Sequence, residues 1–235
     1  MKIATWNVER LKQQKSLDKI LSAIEDAQAD ILVLTETDER IKPSYRYSFH
    51  TPQLHDAPSD YHMPGRYKEY SVADVYAVTE NRVSIYTNYP SIKQYETYDK
   101  YTSLCIELET EAGNLLVYGT IIGILGNRDE SFKQDLLLQT KDYARLSKAG
   151  NICISGDFNC SFSDNYYFTN FGRDTLSTVF ASNNLSLITA DQPECIDHIA
   201  ISKNFISENN IRISEWNLDK SLSDHKGIVA EIWFT

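Results

Sequence analysis

Polar side chains end or interrupt several apolar runs of this sequence, and their types share one kind of chemistry. Glu36 follows the run "ILVLT", and Asp157 follows "NICISG" with Asn159 two residues later. Charged residues are rarely buried unless they are paired or bind a metal ion. Each position alone is compatible with a cap or a turn, but their recurrence indicates a site. The candidate residues are Asn7, Glu36, Asp157, Asn159, Asp197, Asp224 and His225.

These residue types suit the handling of a phosphate group together with a hard metal ion. Glu36 and Asp224, with carboxamides, are oxygen ligands of the kind that Mg²⁺ or Mn²⁺ prefers. A Mg²⁺ ion usually takes only one or two protein carboxylates, which leaves positions for phosphate and water. His225 and Asp197 offer a histidine that a carboxylate holds in one tautomer and supports as an imidazolium. Asp157 is then a candidate to act on water as a base or to orient it.

The stretch "SGDFN", residues 155–159, has two interpretations. In extended backbone, side chains two apart point to the same side, so Asp157 and Asn159 can aim at one point while Phe158 turns away. Gly156 leaves room for another group to approach the backbone. Asp and Asn are also common in Asx turns, so the stretch alone fits a turn as well as a site. In the functional interpretation, Asn159 holds a phosphate oxygen or the attacking water.

Hydrophobic periodicity predicts the elements that must position these residues. Residues 2–8 alternate like a strand, residues 14–28 have helical spacing, and "DILVLTE", 30–36, is typical of a buried strand. Residues 38–80 carry several prolines and favour long loops with short strands. Many strands with few helices indicate sheets packed face to face and covered by helices. The further predictions are helices at 130–148 and 172–183, and strands at 82–90, 101–110, 114–122, 151–157, 195–202, 210–216 and 227–234.

The composition is that of an ordinary globular protein. The 235 residues are 42% hydrophobic and 24% charged, and no repeat or linker divides them, so we expect a single domain over residues 1–235. No run has the length of a membrane span, and the N-terminal sequence has no secretory apolar region. The four cysteines are widely spaced and form no CxxC pair. These features predict a cytoplasmic, reduced protein.

The charge of the chain limits its partners. The formal net charge of −10 disfavours a broad grip on duplex nucleic acid, which depends on Lys and Arg neutralising phosphates. The same charge does not favour anionic membranes. A nucleic-acid substrate is not excluded, because a bound divalent cation supplies local positive charge.

Five short motifs in order resemble those of the endonuclease/exonuclease/phosphatase superfamily, the DNase I-like proteins. They are "TWNVE" (5–9), "LTET" (34–37), "SGDFN" (155–159), "IDHI" (196–199) and "SDHKGI" (223–228), and "RVSIYTNYP" (82–90) resembles a mid-domain strand of that family. The resemblance implies an α+β fold, a four-layer αββα sandwich of two packed mixed β-sheets flanked by helices. It also implies Mg²⁺-dependent hydrolysis of phosphoesters, with Mn²⁺ as an alternative ion.

The resemblance assigns roles by motif position. It implies that the metal-site residues are Asn7, Glu36 and Asp224, and that Asp157 and Asn159 orient the nucleophile and the phosphate. Asp197 and His225 match the carboxylate–histidine pair beside the phosphate.

One position departs from the family pattern. Many members carry a second histidine in a motif like "NTHL" after a central strand, whereas this sequence has "YGTIIGI" (118–124) with Ile121 near that position. A contact to the phosphate is therefore missing or comes from elsewhere in the chain.

Other reactive side chains are expected to be structural. His198 should face away from Asp197 in a strand, and Cys160 is interpreted as a small passive residue. The uneven spacing of His50, His55 and His62 favours surface positions over zinc ligands.

Aromatic residues give the only hint of the substrate. Most of the 15 tyrosines fall within residues 45–101, where strand propensity explains some of them and stacking on nucleobases is an alternative role. No basic track accompanies them, which favours a single-stranded, short or small substrate over a long duplex. We therefore expect a nuclease. The alternatives are a phosphatase acting on a small phosphorylated molecule, and an inactive binding module, against which the retained polar residues argue.

Overall fold

The structure, a computed structural model, describes residues 1–58, 61, 77–123, 128–206 and 210–234. The expectations for His62 and for part of the tyrosine-rich stretch, namely Tyr67, Tyr70 and Tyr76, lie outside these residues. No helix in the described part of the chain is long and apolar enough to cross a membrane.

The described residues form strands and helices in the following order. The strands are β1 (Lys2–Asn7), β2 (Ile31–Asp38), β3 (Tyr47–His50), β4 (Glu80–Thr87), β5 (Ser91–Tyr95), β6 (Ser103–Thr110), β7 (Gly113–Ile121), β8 (Ile152–Asp157), β9 (Leu185–Leu187), β10 (Asp197–Ser202), β11 (Asn210–Trp216) and β12 (Gly227–Trp233). The helices are α1 (Leu17–Ala27), α2 (Glu130–Leu146), α3 (Asn170–Ser182) and the short α4 (Lys203–Ile206).

Two six-stranded sheets pack against each other, and helices cover both outer faces. The strand orders are β11-β12-β1-β2-β4-β3 and β5-β6-β7-β8-β10-β9. Both sheets are mixed, because β1 pairs with β2 and β7 with β8 in parallel while the neighbouring pairs are antiparallel. This is the four-layer αββα sandwich of α+β class that the sequence predicted.

The strand β2 illustrates why the apolar run folds this way. Its residues Ile31 and Val33 belong to the core between the sheets, and Leu32 and Leu34 belong to the core beneath α1. All four side chains are fully buried. A strand buried on both faces must be apolar at successive positions, which is why "ILVLT" does not alternate.

The sequence missed β5 and β9, and in residues 38–80 it predicted short strands without locating β3. Each of the three lies at an edge of its sheet. An edge strand packs on few neighbours, so its sequence carries little apolar pattern. In β5, for example, Ser91, Ile92, Lys93 and Gln94 are all exposed.

Strand direction brings the polar strand ends to one end of the sandwich. β1 ends at Asn7, and its parallel pairing with β2 places Asn7 beside Thr35, the residue before Glu36. In the second sheet, β8 ends at Asp157 directly opposite Asp197, the first residue of antiparallel β10. The segment before β12 reaches the same end, because Ile228 pairs with Thr5 near the end of β1.

Gly156 permits the close contact between β7 and β8 that precedes Asp157. Its φ is +140°, and a Cβ added there would lie 1.9 Å from the backbone oxygen of Thr120. Gly156→Ala should therefore lower the free energy of unfolding by about 2–4 kcal/mol, from backbone strain and steric overlap together. Chemical denaturation measures this loss.

Gly113→Ala is the matched control, because Gly113 also has a positive φ, +108°, but an added Cβ would meet nothing within 4 Å. It should cost about 1 kcal/mol, from conformation alone. Equal losses in the two variants would contradict the steric argument.

Candidate active site

His225 and Asp197 form a hydrogen-bonded pair that joins the two sheets. The distance from His225 Nδ1 to Asp197 Oδ2 is 2.6 Å, and the side chains are 14% and 2% exposed. The His225 carbonyl accepts hydrogen bonds from the Trp6 indole at 3.1 Å and the Asn217 amide at 2.7 Å. With Nδ1 engaged by the carboxylate, Nε2 is the nitrogen left for a substrate.

The surroundings of His225 favour the imidazolium. Burial opposes the charged form, but the neighbouring carboxylates of Asp197, Asp157 and Asp224 outweigh it and raise the pKa of His225 to about 10. The ring is therefore positively charged at neutral pH.

Asp157 is buried, 2% exposed, at the end of β8. Its Oδ2 accepts a hydrogen bond of 3.1 Å from Asn7 Nδ2, and its Oδ1 accepts one of 2.8 Å from the backbone N–H of Asn159. Burial raises the pKa of Asp157, and the charge of His225 opposes that rise. A carboxylate with a raised pKa is a better proton acceptor than an ordinary aspartate.

Asn159 reaches this end of the sandwich through a turn. The hydrogen bond from its N–H to Asp157 is the Asx turn that the sequence allowed, and its φ is +48°. The extended geometry expected for the pair is therefore wrong after Asp157. The Asn159 amide donates to the carbonyls of Ile122 at 2.9 Å and Gly123 at 3.1 Å, which fixes the orientation of its side chain.

Glu36 faces two guanidinium groups. Arg10 Nε lies 3.2 Å from Glu36 Oε2, and Arg82 Nη2 lies 3.5 Å from Glu36 Oε1. Burial tends to raise the pKa of Glu36, but Arg82 and Arg10 outweigh it and lower the pKa. Glu36 also has a positive φ of +46°, and such non-glycine residues persist where the surroundings enforce them.

Sequence reasoning missed both arginines. Arg82 is 1% exposed, and its Nη1 lies 3.0 Å from Glu80 Oε1. The available signal was a charge at the start of the apolar strand "RVSIYT", since a buried guanidinium requires acidic partners. Arg10 lay within a polar stretch and gave no such signal.

Asp224 is the outermost candidate residue. Its side chain is 64% exposed, and its Oδ1 lies 3.6 Å from His225 Nε2. Burial and the nearby Glu9 raise the pKa of Asp224, while His225 lowers it. Contacts, strand register and charge interactions therefore place Asn7, Glu36, Asp157, Asn159, Asp197, Asp224 and His225 at one end of the sandwich.

The donors at this site fit a hard divalent cation. Within the described ranges, no three His, Cys, Asp or Glu side chains form a ready ligand set, but Mg²⁺ needs only one or two carboxylates and completes its shell with water and phosphate. Asp157 is a buried carboxylate, and Asp197 Oδ1 is buried without a hydrogen-bond partner in the described part of the chain. A nearby cation would stabilise this concentration of negative charge.

His198 and Cys160 have structural positions, as expected. His198 is fully buried, with Nδ1 2.9 Å from Thr189 Oγ1 and Nε2 3.0 Å from the Cys160 carbonyl. Burial lowers the pKa of His198 to about 4, and burial raises the pKa of the Cys160 thiol to about 11. The ring is therefore neutral and the thiol protonated at neutral pH.

A cleft of about 280 Å³ opens beside His225. The sequence did not single out the aromatic and basic side chains that line it, Tyr166, Tyr167 and Lys220. Lys220 Nζ lies 2.8 Å from the Tyr166 hydroxyl and 4.6 Å from the ring centroid. These residues sit in loops, where side chains from distant positions in the sequence meet.

The model of a family described as "Endonuclease/Exonuclease/phosphatase family" matches residues 4–225 of the chain. None of the curated proteins compared with the chain matches it.

Several solved structures resemble the whole chain. An endonuclease/exonuclease/phosphatase from Beutenbergia cavernae DSM 12333 has a TM-score of 0.67 at 13% identity, covering 99% of this chain and 71% of that one. An AP endonuclease from Archaeoglobus fulgidus has a TM-score of 0.66 at 13% identity, with both chains covered completely (100%). A variant of the 3' phosphatase NExo from Neisseria, bound to a product DNA hairpin, has a TM-score of 0.65 at 16% identity, again with 100% of both chains covered. At these identities the likeness is one of fold.

Proposed function

Because the chain belongs to the endonuclease/exonuclease/phosphatase family, whose members are phosphoester hydrolases, we propose that it is a Mg²⁺-dependent phosphodiesterase and, within that class, a nuclease. The family match over residues 4–225 confirms the resemblance of the five sequence motifs. The observation that carries the proposal is the 2.6 Å bond between His225 and Asp197, next to the buried carboxylate of Asp157.

His225 stabilises the charge that develops on the phosphoryl group. Its Nδ1–H donates to Asp197, so Nε2–H points away from that carboxylate. Asp224 Oδ1 lies 3.6 Å from Nε2, beyond hydrogen-bond distance, so Nε2–H can donate to a phosphate oxygen. An imidazolium in a partly buried site provides a fixed positive donor, which costs no reorganisation during the reaction. Asp197 orients the ring and supports its charge.

Asp157 and Asn159 act on the attacking water. Asp157 accepts hydrogen bonds from Asn7 and from the Asn159 backbone, so its carboxylate is fixed in place. Burial raises the pKa of Asp157, which makes its carboxylate a better acceptor for the proton that the water loses. The Asn159 carboxamide, held by its bonds to the carbonyls that follow β7, orients the same water.

Asn7, Glu36 and Asp224 are the residues that would hold the metal ion. The ion supplies positive charge to the phosphate when bound. The chain contributes oxygen donors from two carboxylates and one carboxamide, and the buried Asn7 is fixed by the 2.9 Å bond between its Oδ1 and the Glu9 N–H.

The substrate class rests on charge and on the cleft. The net charge of −10 disfavours a long duplex, whereas Tyr166 and Tyr167 beside His225 offer rings on which an unpaired base could stack. Two of the similar structures are described as an AP endonuclease and a 3' phosphatase with a DNA product. We therefore propose single-stranded or short nucleic acid as the substrate, with a small phosphomonoester as the alternative.

A substrate panel with Mg²⁺ tests this proposal. Single-stranded DNA, duplex DNA, RNA and a phosphomonoester are compared by kcat/KM, and we expect the highest value for a single-stranded oligonucleotide. The His225→Ala protein, prepared identically, controls for contaminating nucleases. Turnover of the phosphomonoester alone would establish the alternative, and no hydrolysis of any substrate would contradict both.

A further inference from the structure

In the proposed mechanism His225 is one positive donor to the phosphate, and β7 adds no second one beside Asp157. Ile121 is paired with Asp157 across β7 and β8, and its side chain is apolar and 1% exposed. Among the described residues, Arg10 and Arg82 form ion pairs with Glu36. The exposure and contacts of these two side chains indicate that Arg82 is fixed in place, whereas Arg10 can change partner.

Arg82 is the fixed cation. Its side chain is 1% exposed and lies between two carboxylates, 3.0 Å from Glu80 Oε1 and 3.5 Å from Glu36 Oε1. It therefore keeps one oxygen of Glu36 paired irrespective of what happens at the other oxygen.

Arg10 is the accessible cation. Its side chain is 37% exposed, and its Nε lies 3.2 Å from Glu36 Oε2, the oxygen that Arg82 does not contact. No described residue accepts a hydrogen bond from the terminal nitrogens of Arg10. A guanidinium whose terminal donors have no partner among the described residues matches the geometry of a phosphate.

The backbone presents Arg10 at this place. Glu9, Arg10 and Leu11 have φ values of 50°, 55° and 50°, a left-handed turn that non-glycine residues rarely adopt. The turn is held by the bond from Glu9 N to Asn7 Oδ1, by the bond from Leu11 N to the Val8 carbonyl, and by burial of the Leu11 side chain. The backbone of Arg10 is thereby fixed relative to Asn7, while the Arg10 side chain remains partly exposed.

We propose that Arg10 is a phosphate-binding residue of this site, paired with Glu36 in the free protein and donating its terminal nitrogens to the substrate phosphate when a cation occupies Glu36. The proposal rests on the proposed phosphoester hydrolysis for its substrate class. Since Arg82 stays on Glu36, Arg10 leaves without exposing an unpaired buried carboxylate. Phosphate and metal binding are consequently coupled.

Calorimetric titration with inorganic phosphate, with and without Mg²⁺, tests the role without requiring turnover. In the presence of Mg²⁺, Arg10→Gln should raise the Kd for phosphate about tenfold or more, the scale for one charge-assisted hydrogen bond. Arg10→Lys, which keeps the charge but loses the fork of donors, should give a smaller loss. The native protein should bind phosphate more tightly with Mg²⁺ than without it.

Arg40→Gln is the matched control, since Arg40 is also partly exposed, at 43%, and pairs with Asp38 on the same strand as Glu36. It should leave the phosphate Kd unchanged. An Arg10→Gln protein that binds phosphate like the native chain, or a native chain that does not bind phosphate with Mg²⁺, would overturn the proposal. Arg10-dependent phosphate binding without hydrolysis in the substrate panel would sustain this site while rejecting the proposed nuclease.

Discussion

His225→Ala should lower kcat by about 10²–10³-fold or more, the scale for removing one preorganised donor to the transition state. The ring is the imidazole that Asp197 orients, and the raised pKa of about 10 keeps it charged at neutral pH. Ile121 offers no second imidazole on β7. Turnover of the best substrate of the panel at saturating Mg²⁺ measures the loss.

The pairing with Asp197 predicts a non-additive double mutant. Asp197→Asn should also reduce kcat, because it weakens the imidazolium and disturbs its orientation. The double mutant should lose less free energy of activation than the sum of the single variants, since the residues act as one unit. A strictly additive result would reject the pairing, and near-normal turnover of His225→Ala would reject the mechanism.

His50→Ala is the control for a histidine outside the site. His50 lies on β3 with its Nδ1 2.8 Å from Ser84 Oγ, within hydrogen-bond distance. Its removal should leave kcat within about twofold of the native value. Matching unfolding midpoints among the variants exclude loss of folded protein as the cause.

Glu36→Gln should lower kcat/KM by about 10²–10³-fold, and chelation of divalent ions should abolish turnover. The expected scale follows from a metal contribution of several kcal/mol and the conversion of about 1.4 kcal/mol per tenfold in rate. Calorimetry with Mn²⁺ gives a second readout, in which the variant should bind the ion more weakly than the native protein.

Glu80→Gln is the control variant, because it disturbs Arg82 but leaves Glu36, the proposed metal-binding residue, unchanged. Glu80 lies 3.0 Å from Arg82 and is 2% exposed. Burial raises its pKa, and Arg82 opposes the rise. This variant should destabilise the fold while retaining Mn²⁺ binding. Full activity of the native protein in excess chelator would show that the site works without a metal.

The class of fold and the main elements could be predicted from the amino-acid sequence. Runs such as "ILVLT" and "NICIS" are apolar because their strands are buried between a second sheet and a helix. An apolar run of this kind can be recognised from the segment's own residues. The ends of apolar runs also singled out Asn7, Glu36 and Asp157 as candidates, since a polar group beside a buried strand requires a partner. The edge strands β3, β5 and β9 could not be located from the sequence, because an edge strand buries few side chains and therefore shows little apolar pattern.

The pairing of the polar groups could not be predicted from the sequence, because it depends on long-range packing. The bond between Asp197 and His225 spans 28 residues of sequence, and that between Asn7 and Asp157 spans 150. Arg10 and Arg82 meet at Glu36 because β2 pairs with β4 and a left-handed turn follows β1. The spacing of apolar residues indicates whether a segment forms a helix or a strand. These contacts depend instead on which strands become neighbours and in which register they pair. That choice is made by the packing of the whole sandwich, which no single segment encodes.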